Sequence, residues 1–148
     1  MSTRSCVIIK VRPEDIGTTK SFDKNLVKVE ERGWEQYEQV DKDKAEPVEI
    51  KEKYLGIYCH WDGYPEGVGA ALKEHFKTYE DVLNLILGGD CSVISDEYII
   101  RYATRKDEEW KYLQPKQEAT TKEMLAHFDW SEYAYIYTDG NGWKTKEI

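Results

Sequence analysis

The residues with the greatest chemical capacity crowd into one stretch: Tyr58, Cys59, His60, Trp61, Asp62 and Tyr64, followed closely by Gly67 and Gly69. A cysteine beside a histidine suggests a nucleophile and its base, which must lie within hydrogen-bond reach of each other. Tyr54 to Trp61 has strand character, however, and neighbouring strand residues point to opposite faces. Cys59 therefore joins Leu55, Ile57 and Trp61 on a core face, as a small buried hydrophobe rather than a reactive thiol. Tyr54, Gly56, Tyr58 and His60 take the other face, where Asp62 would orient the His60 imidazole.

Downstream, Glu66 to Gly69 (EGVG) lies where this strand feeds a helix, a place where backbone amides can receive an anion. The segment lacks a P-loop lysine, and Leu72 occupies the last glycine position of G-x-G-x-x-G. Gly67 and Gly69 also suit a tight helix entry packed closely on a sheet. If the first strand pairs with Tyr54 to Trp61, Arg4 supplies a positive charge beside them. Arg4, Tyr58, His60, Asp62, Tyr64, Gly67 and Gly69 then form a candidate ligand-binding pocket. Cys6, Cys59, Cys91, His60, His75 and His127 show neither CxxC nor HExxH spacing, so no metal site is assigned. No catalytic residue and no cofactor are assigned either.

The elements that must position these residues follow from periodicity and punctuation. Ser5 to Val11 is rich in β-branched residues and stops before Pro13, as a first strand should. From about residue 16 to 53 charges of both signs dominate, an excursion from the sheet with a helix expected near Glu30 to Val40. Its Trp34 and Tyr37 are candidate anchors for a partner. After the break at Asp62 to Pro65, Val68, Leu72, His75 and Phe76 mark an amphipathic helix starting near Glu66. Thr78 caps a second helix that ends at Gly88 and Gly89, and Thr120 with Glu123 forms a capping box for a short third one. Cys91 to Ile94 and Tyr98 to Tyr102 are apolar without a decisive period. Tyr133 to Tyr137, the turn at Asp139 to Gly142 and Trp143 to Thr145 predict a hairpin, with the Tyr133, Tyr135 and Tyr137 stripe facing the core. Strands and helices do not alternate as βαβ units require, so the expected fold is α+β: a single domain with a mainly antiparallel sheet and two to four helices packed on it.

The 148 residues suit one core, and 13% aromatics, including eleven tyrosines and five tryptophans, supply material to bury. A formal charge of -8 argues against direct nucleic-acid binding, which needs clustered lysine and arginine. It is compatible with a basic protein partner. Three widely spaced cysteines make a disulfide scaffold improbable, and the apolar run at Cys6 to Ile9 is too short for a signal-peptide core or a membrane span. A cytoplasmic protein with reduced thiols and no membrane partner is expected.

Three blocks carry a resemblance: Thr3-Arg4-Ser5, YCHWDGYPEGVG at Tyr58 to Gly69 followed by Leu72, and LGGDCS at Leu87 to Ser92. In these the chain resembles a group of short, uncharacterised proteins encoded by bacteriophages and prophages and found in their bacterial hosts. The resemblance covers about a third of the chain and implies origin in a mobile element, within a bacterial cell, without carrying over any catalytic residue. Small acidic proteins of that origin often bind host proteins, including the nucleases of defence systems, as anti-CRISPR inhibitors do. The expected function is non-enzymatic binding and modulation of a host protein. The alternative is a small enzyme or anion-binding domain using the pocket around Arg4, Tyr58, His60 and Asp62.

Overall fold

The computed structural model describes residues 3–32, 45–102 and 109–148. Trp34 and Tyr37 lie outside them. Ten strands are described: β1 (Ser5–Lys10), β2 (Thr19–Lys20), β3 (Glu30–Arg32), β4 (Val48–Glu49), β5 (Tyr54–Cys59), β6 (Cys91–Ile94), β7 (Tyr98–Arg101), β8 (Lys116–Glu118), β9 (Tyr133–Thr138) and β10 (Gly142–Glu147). Eight of them form one sheet in the order β10-β9-β1-β5-β6-β7-β3, with β8 also pairing β5, while β2 and β4 make a separate ribbon. The helices are α1 (Ala70–His75), α2 (Tyr79–Leu87), α3 (Trp110–Leu113) and α4 (Thr121–Ala126). The fold is α+β. Its sheet is mixed, since β1 with β9, β5 with β6 and β3 with β7 run parallel and the other pairs antiparallel.

The unbroken apolar run of β1 has a direct cause: the strand is interior to the sheet and covered on both faces. On one face Val7 and Ile9 join Leu55, Ile57 and Cys59, which bury against Val68 and Leu72 at the first helix and Val82 and Ile86 of α2. On the other, Cys6 and Ile8 pack with Ala134 and with Met124 and Phe128 from α4 and its end. Gly56 makes that second layer possible, because a Cβ there would come within 2.8 Å of the Met124 sulfur. Both capping threonines act as the sequence predicts: Thr78 accepts a hydrogen bond from Asp81 N, and Thr120 from Glu123 N, each at 3.1 Å.

The terminal hairpin forms, and β9 docks parallel to β1 with Tyr135 and Tyr137 in the core and Tyr133 half-buried. Cys91–Ile94 and Tyr98–Arg101 resolve into an antiparallel pair whose turn is tied by Ser95, which accepts from Tyr98 N at 3.0 Å. The expected helix from Glu30 is corrected at its start. Glu30–Arg32 is a strand, drawn into parallel pairing with β7 at the sheet edge. Long-range partnership overrides local helix preference there.

A buried charge holds this edge. Arg101 is 2% exposed, and its Nε donates to Glu31 Oε1 at 3.0 Å while Nη1 donates to the Leu85 carbonyl at 2.9 Å. The guanidinium also stacks on the Phe22 ring, 4.5 Å from its centroid. One arginine therefore joins the charged excursion to the end of α2 and to the sheet.

Candidate functional site

The segment from Tyr58 to Gly69 begins as a strand and ends as a helix, and the junction has a definite geometry. β5 stops at Cys59, and the next two amides still bond across to the neighbouring strand, His60 N to Cys91 O and Trp61 N to Ser92 O. Asp62 then adopts a left-handed backbone with φ 55°, and a π-helical turn over Pro65–Gly69 leads directly into α1. The Asp62 carbonyl accepts from Val68 N at 2.9 Å, closing the turn. Because the strand has ended, Trp61 does not follow Leu55, Ile57 and Cys59 into the core. It is 45% exposed, which corrects the alternation extended to it.

The antiparallel pairing of β1 and β5 places Ser5 opposite Cys59, so Arg4 comes to the end of β5 where His60 lies. Arg4 is exposed. Tyr58 and His60 share a face, and the Tyr58 hydroxyl and His60 Nδ1 share a hydrogen bond of 2.8 Å. The phenol pKa is raised, chiefly by burial, while the positive charge of Arg4 and the Trp130 indole act in the opposite sense. Trp130, which the sequence reading did not single out, stands 5.8 Å from Tyr58 between ring centroids and is 50% exposed.

On the other side the His60 ring meets the Trp61 ring edge-on at 4.7 Å. Trp61, His60, Tyr58 and Trp130 thus form a continuous chain of ring contacts, anchored at the Trp130 end on buried Phe128 at 6.2 Å. Its two ends are half-exposed indoles. The signal available in the sequence was weak, since Trp130 is separated from the segment by most of the fold.

Asp62, Tyr64 and Gly67 are placed differently. They line a cavity of about 170 Å3 together with Glu66, Glu74 and Asp96, and among the described residues its lining includes no lysine or arginine. Four carboxylates favour a cationic group over an anion in that cavity. Gly67 and Gly69 have close-packing reasons to be glycine: a Cβ at Gly67 would lie 2.3 Å from the Asp62 carbonyl oxygen, and one at Gly69 would lie 2.9 Å from the Tyr135 ring. The seven candidate residues therefore divide into Arg4, Tyr58 and His60 at the aromatic strip, Asp62, Tyr64 and Gly67 at the cavity, and Gly69 beneath Tyr135.

The three thiols are fully enclosed. Burial pushes Cys6 and Cys91 up to about 12, and Cys59 is raised as well. Thiolate, the nucleophilic form, is thus scarce at neutral pH. The native protein is expected to leave a thiol-reactive disulfide reagent unconsumed at pH 7 until denaturant is added; rapid reaction of one thiol in the native state would contradict this. The same shifts give a pH dependence with a fixed sign. The thiols stay protonated in the fold above pH 9 while the unfolded chain ionises from its ordinary value of 9.0. Their contribution is therefore intact below pH 9 and lost progressively as pH rises from 9 to about 12. Urea midpoints at pH 8 and pH 10 check this, and Cys6→Ala should flatten the slope.

Among the described residues no group of three or more His, Cys, Asp or Glu side chains is placed to hold a metal ion. Among them, too, no helix is long and apolar enough to cross a membrane. Compared with protein-family models, curated proteins and solved structures, the chain matches none of them.

Proposed function

We propose that this protein is a non-enzymatic accessory protein of phage or mobile-element origin that binds and modulates a host protein. A nucleic-acid-processing defence enzyme, inhibited in the manner of anti-CRISPR proteins, is the expected class of target. The observation that carries the binding reading is the aromatic strip: two half-exposed tryptophans joined through His60 and Tyr58, with Arg4 beside them. Tryptophan, tyrosine and arginine are the residues that dominate protein interfaces. The origin rests on the resemblance in the TRS, YCHWDGYPEGVG and LGGDCS blocks. The enclosed thiols favour binding over thiol catalysis.

Affinity capture from bacterial host lysate tests the reading, using wild type, Trp61→Ala/Trp130→Ala and Trp34→Ala/Tyr37→Ala. A partner recovered in stoichiometric amount by the wild type supports it, and its loss in one double variant tells the strip from the charged excursion. Recovery of no specific partner by the wild type rejects it. A second reading, a small anion site, is favoured by the Tyr58 to His60 hydrogen bond near the Arg4 charge. Phosphate titration followed by His60 ring NMR signals separates the two, since only the anion site predicts a saturable shift.

A further inference from the structure

The strand order of the sheet ends at β3 and at β10. β3 has three residues, whereas β10 has six, all in register with β9 and none of them proline. Among the described residues no strand pairs with the outer side of β10. Ile148 N donates to the Glu132 carbonyl at 2.9 Å, and an antiparallel ladder alternates between bonded and non-bonded pairs. The amides and carbonyls of Lys146 and Lys144 therefore turn toward β9, and those of Trp143, Thr145 and Glu147 turn outward. That row is the template on which an extended peptide adds as a further strand.

Register divides the side chains of β10 between the two faces of the sheet. Lys144 opposes Ile136 and Lys146 opposes Ala134, on the face of Cys6, Gly56 and Tyr58. Both lysines are exposed, and exposed Lys10 lies on the same face at the end of β1. Trp143, Thr145 and Glu147 take the opposite face, where Trp143 Nε1 donates to the Phe76 carbonyl at 2.8 Å. Acidic groups on the lysine face stand away from this edge. Glu118 of β8 is engaged by His127, Asp129 adjoins Trp130 beside Tyr58, and Glu123 belongs to α4, which packs on β5 and β8. Glu132 lies in the ladder between Arg4 and Ile148, so that row carries no net charge. On its lysine face the edge is thus locally positive, within a protein of net charge -8.

These lysines oppose self-association. A second copy docked antiparallel with Thr145 opposite Thr145 would set Lys144 against Lys146 twice, and like charges directly opposite each other destabilise a strand pair. An acidic strand reverses the sign. Its carboxylates would stand opposite Lys144 and Lys146 at non-hydrogen-bonded positions, where facing side chains are closest, and its alternate residues would lie beside Trp143 and Thr145. Physiological salt screens the net charge of the protein beyond about 8 Å, so the adjacent lysines decide. We propose that the outer edge of β10 accepts an extended acidic protein segment as an added antiparallel strand, with glutamate or aspartate at alternate positions facing Lys144 and Lys146. This goes beyond the binding reading above, because β10 is separated from the Tyr58 strand by β9 and β1.

An octapeptide of alternating glutamate and threonine, titrated into the intact protein while backbone amide NMR signals are followed, tests this. Saturable shifts are expected at residues 142–148, and none with the lysine and threonine counterpart. N-methylation of the peptide's threonines removes the donors that face β10 and should abolish binding, whereas N-methylation of its glutamates should preserve it. Lys144→Glu/Lys146→Glu should weaken the acidic peptide about tenfold and transfer binding to the lysine peptide. Thr145→Pro keeps both lysines and costs β9 no bond, yet removes an outward donor and should also weaken binding. Circular dichroism verifies the fold of each variant, and the methylated peptides need no variant. Absence of saturable shifts at residues 142–148 would overturn the proposal. So would equal binding of the threonine-methylated peptide, since the attraction would then lie in side chains alone. Dimerisation abolished by Thr145→Pro would assign the edge to a second copy and overturn it too, as would a nine-residue oligothymidylate that shifts the same amides at lower concentration. None of these outcomes bears on the aromatic strip, which the tryptophan variants test separately.

Discussion

Replacing Arg101 with methionine is expected to destabilise the protein by about 3–5 kcal/mol, because the change strands a buried carboxylate. Glu31 has a side chain only 8% exposed, and Arg101 Nε is 3.0 Å from its Oε1. Without the guanidinium that charge has no near counterion among the described residues, and the Leu85 carbonyl and the Phe22 ring lose their contact as well. Burial alone would lower the Arg101 pKa, yet the neighbouring Glu31 charge raises it overall, so the guanidinium stays charged throughout the neutral range. Adding Glu31→Met to Arg101→Met should recover a large part of the loss, since an apolar pair of similar volume removes the stranded charge. Urea unfolding of the two variants measures both effects. A loss below about 1 kcal/mol for Arg101→Met would show that the edge strand β3 does not depend on this pair.

Gly67→Ala is the second large effect expected, about 2–3 kcal/mol from overpacking against backbone that cannot rotate away. The added methyl would lie 2.3 Å from the Asp62 carbonyl oxygen, the same oxygen that accepts from Val68 N at 2.9 Å. Asp62 already holds φ 55°, so the turn has little room to give. Gly69→Ala is the useful contrast. Its methyl meets the Tyr135 ring at 2.9 Å, a side chain whose hydroxyl donates to the Gly63 carbonyl at 2.6 Å. A ring can shift by tenths of an ångström, so the thermal midpoint should fall less than for Gly67→Ala. Equal midpoints for wild type and Gly67→Ala would contradict the close approach on which the junction rests. Because Trp61 and Asp62 lead into this turn, Gly67→Ala should also weaken partner capture although both tryptophans remain.

These effects bear on what was legible in the sequence. Local signals translated directly: Thr78 and Thr120 cap the helices predicted from them, and the Asp139 to Gly142 turn closes the predicted hairpin. Alternation in β5 correctly buried Leu55, Ile57 and Cys59 and put Tyr58 and His60 together on the other face. It failed at Trp61 because alternation holds only while the strand lasts, and Asp62 turns the chain with a left-handed residue that periodicity does not register. The strand at Glu30–Arg32 was illegible for another reason. Its partner β7 lies far along the chain, and its buried Glu31 reads as a surface charge until Arg101 is placed beside it. Trp130 was missed on the same ground, since Phe128 and Tyr58 recruit it only once α4 covers the Gly56 face of the sheet.

Hydrogen exchange of the protein with and without its captured host partner tests the proposed recognition at the aromatic strip most directly. Protection is expected in peptides covering residues 58–64 and 128–132, with little change at the lysine-bearing groove formed by Pro47, Lys51, Lys111 and Lys116 on another part of the surface. Protection confined to that groove or to residues 33–44, with the strip exchanging as in the free protein, would contradict it.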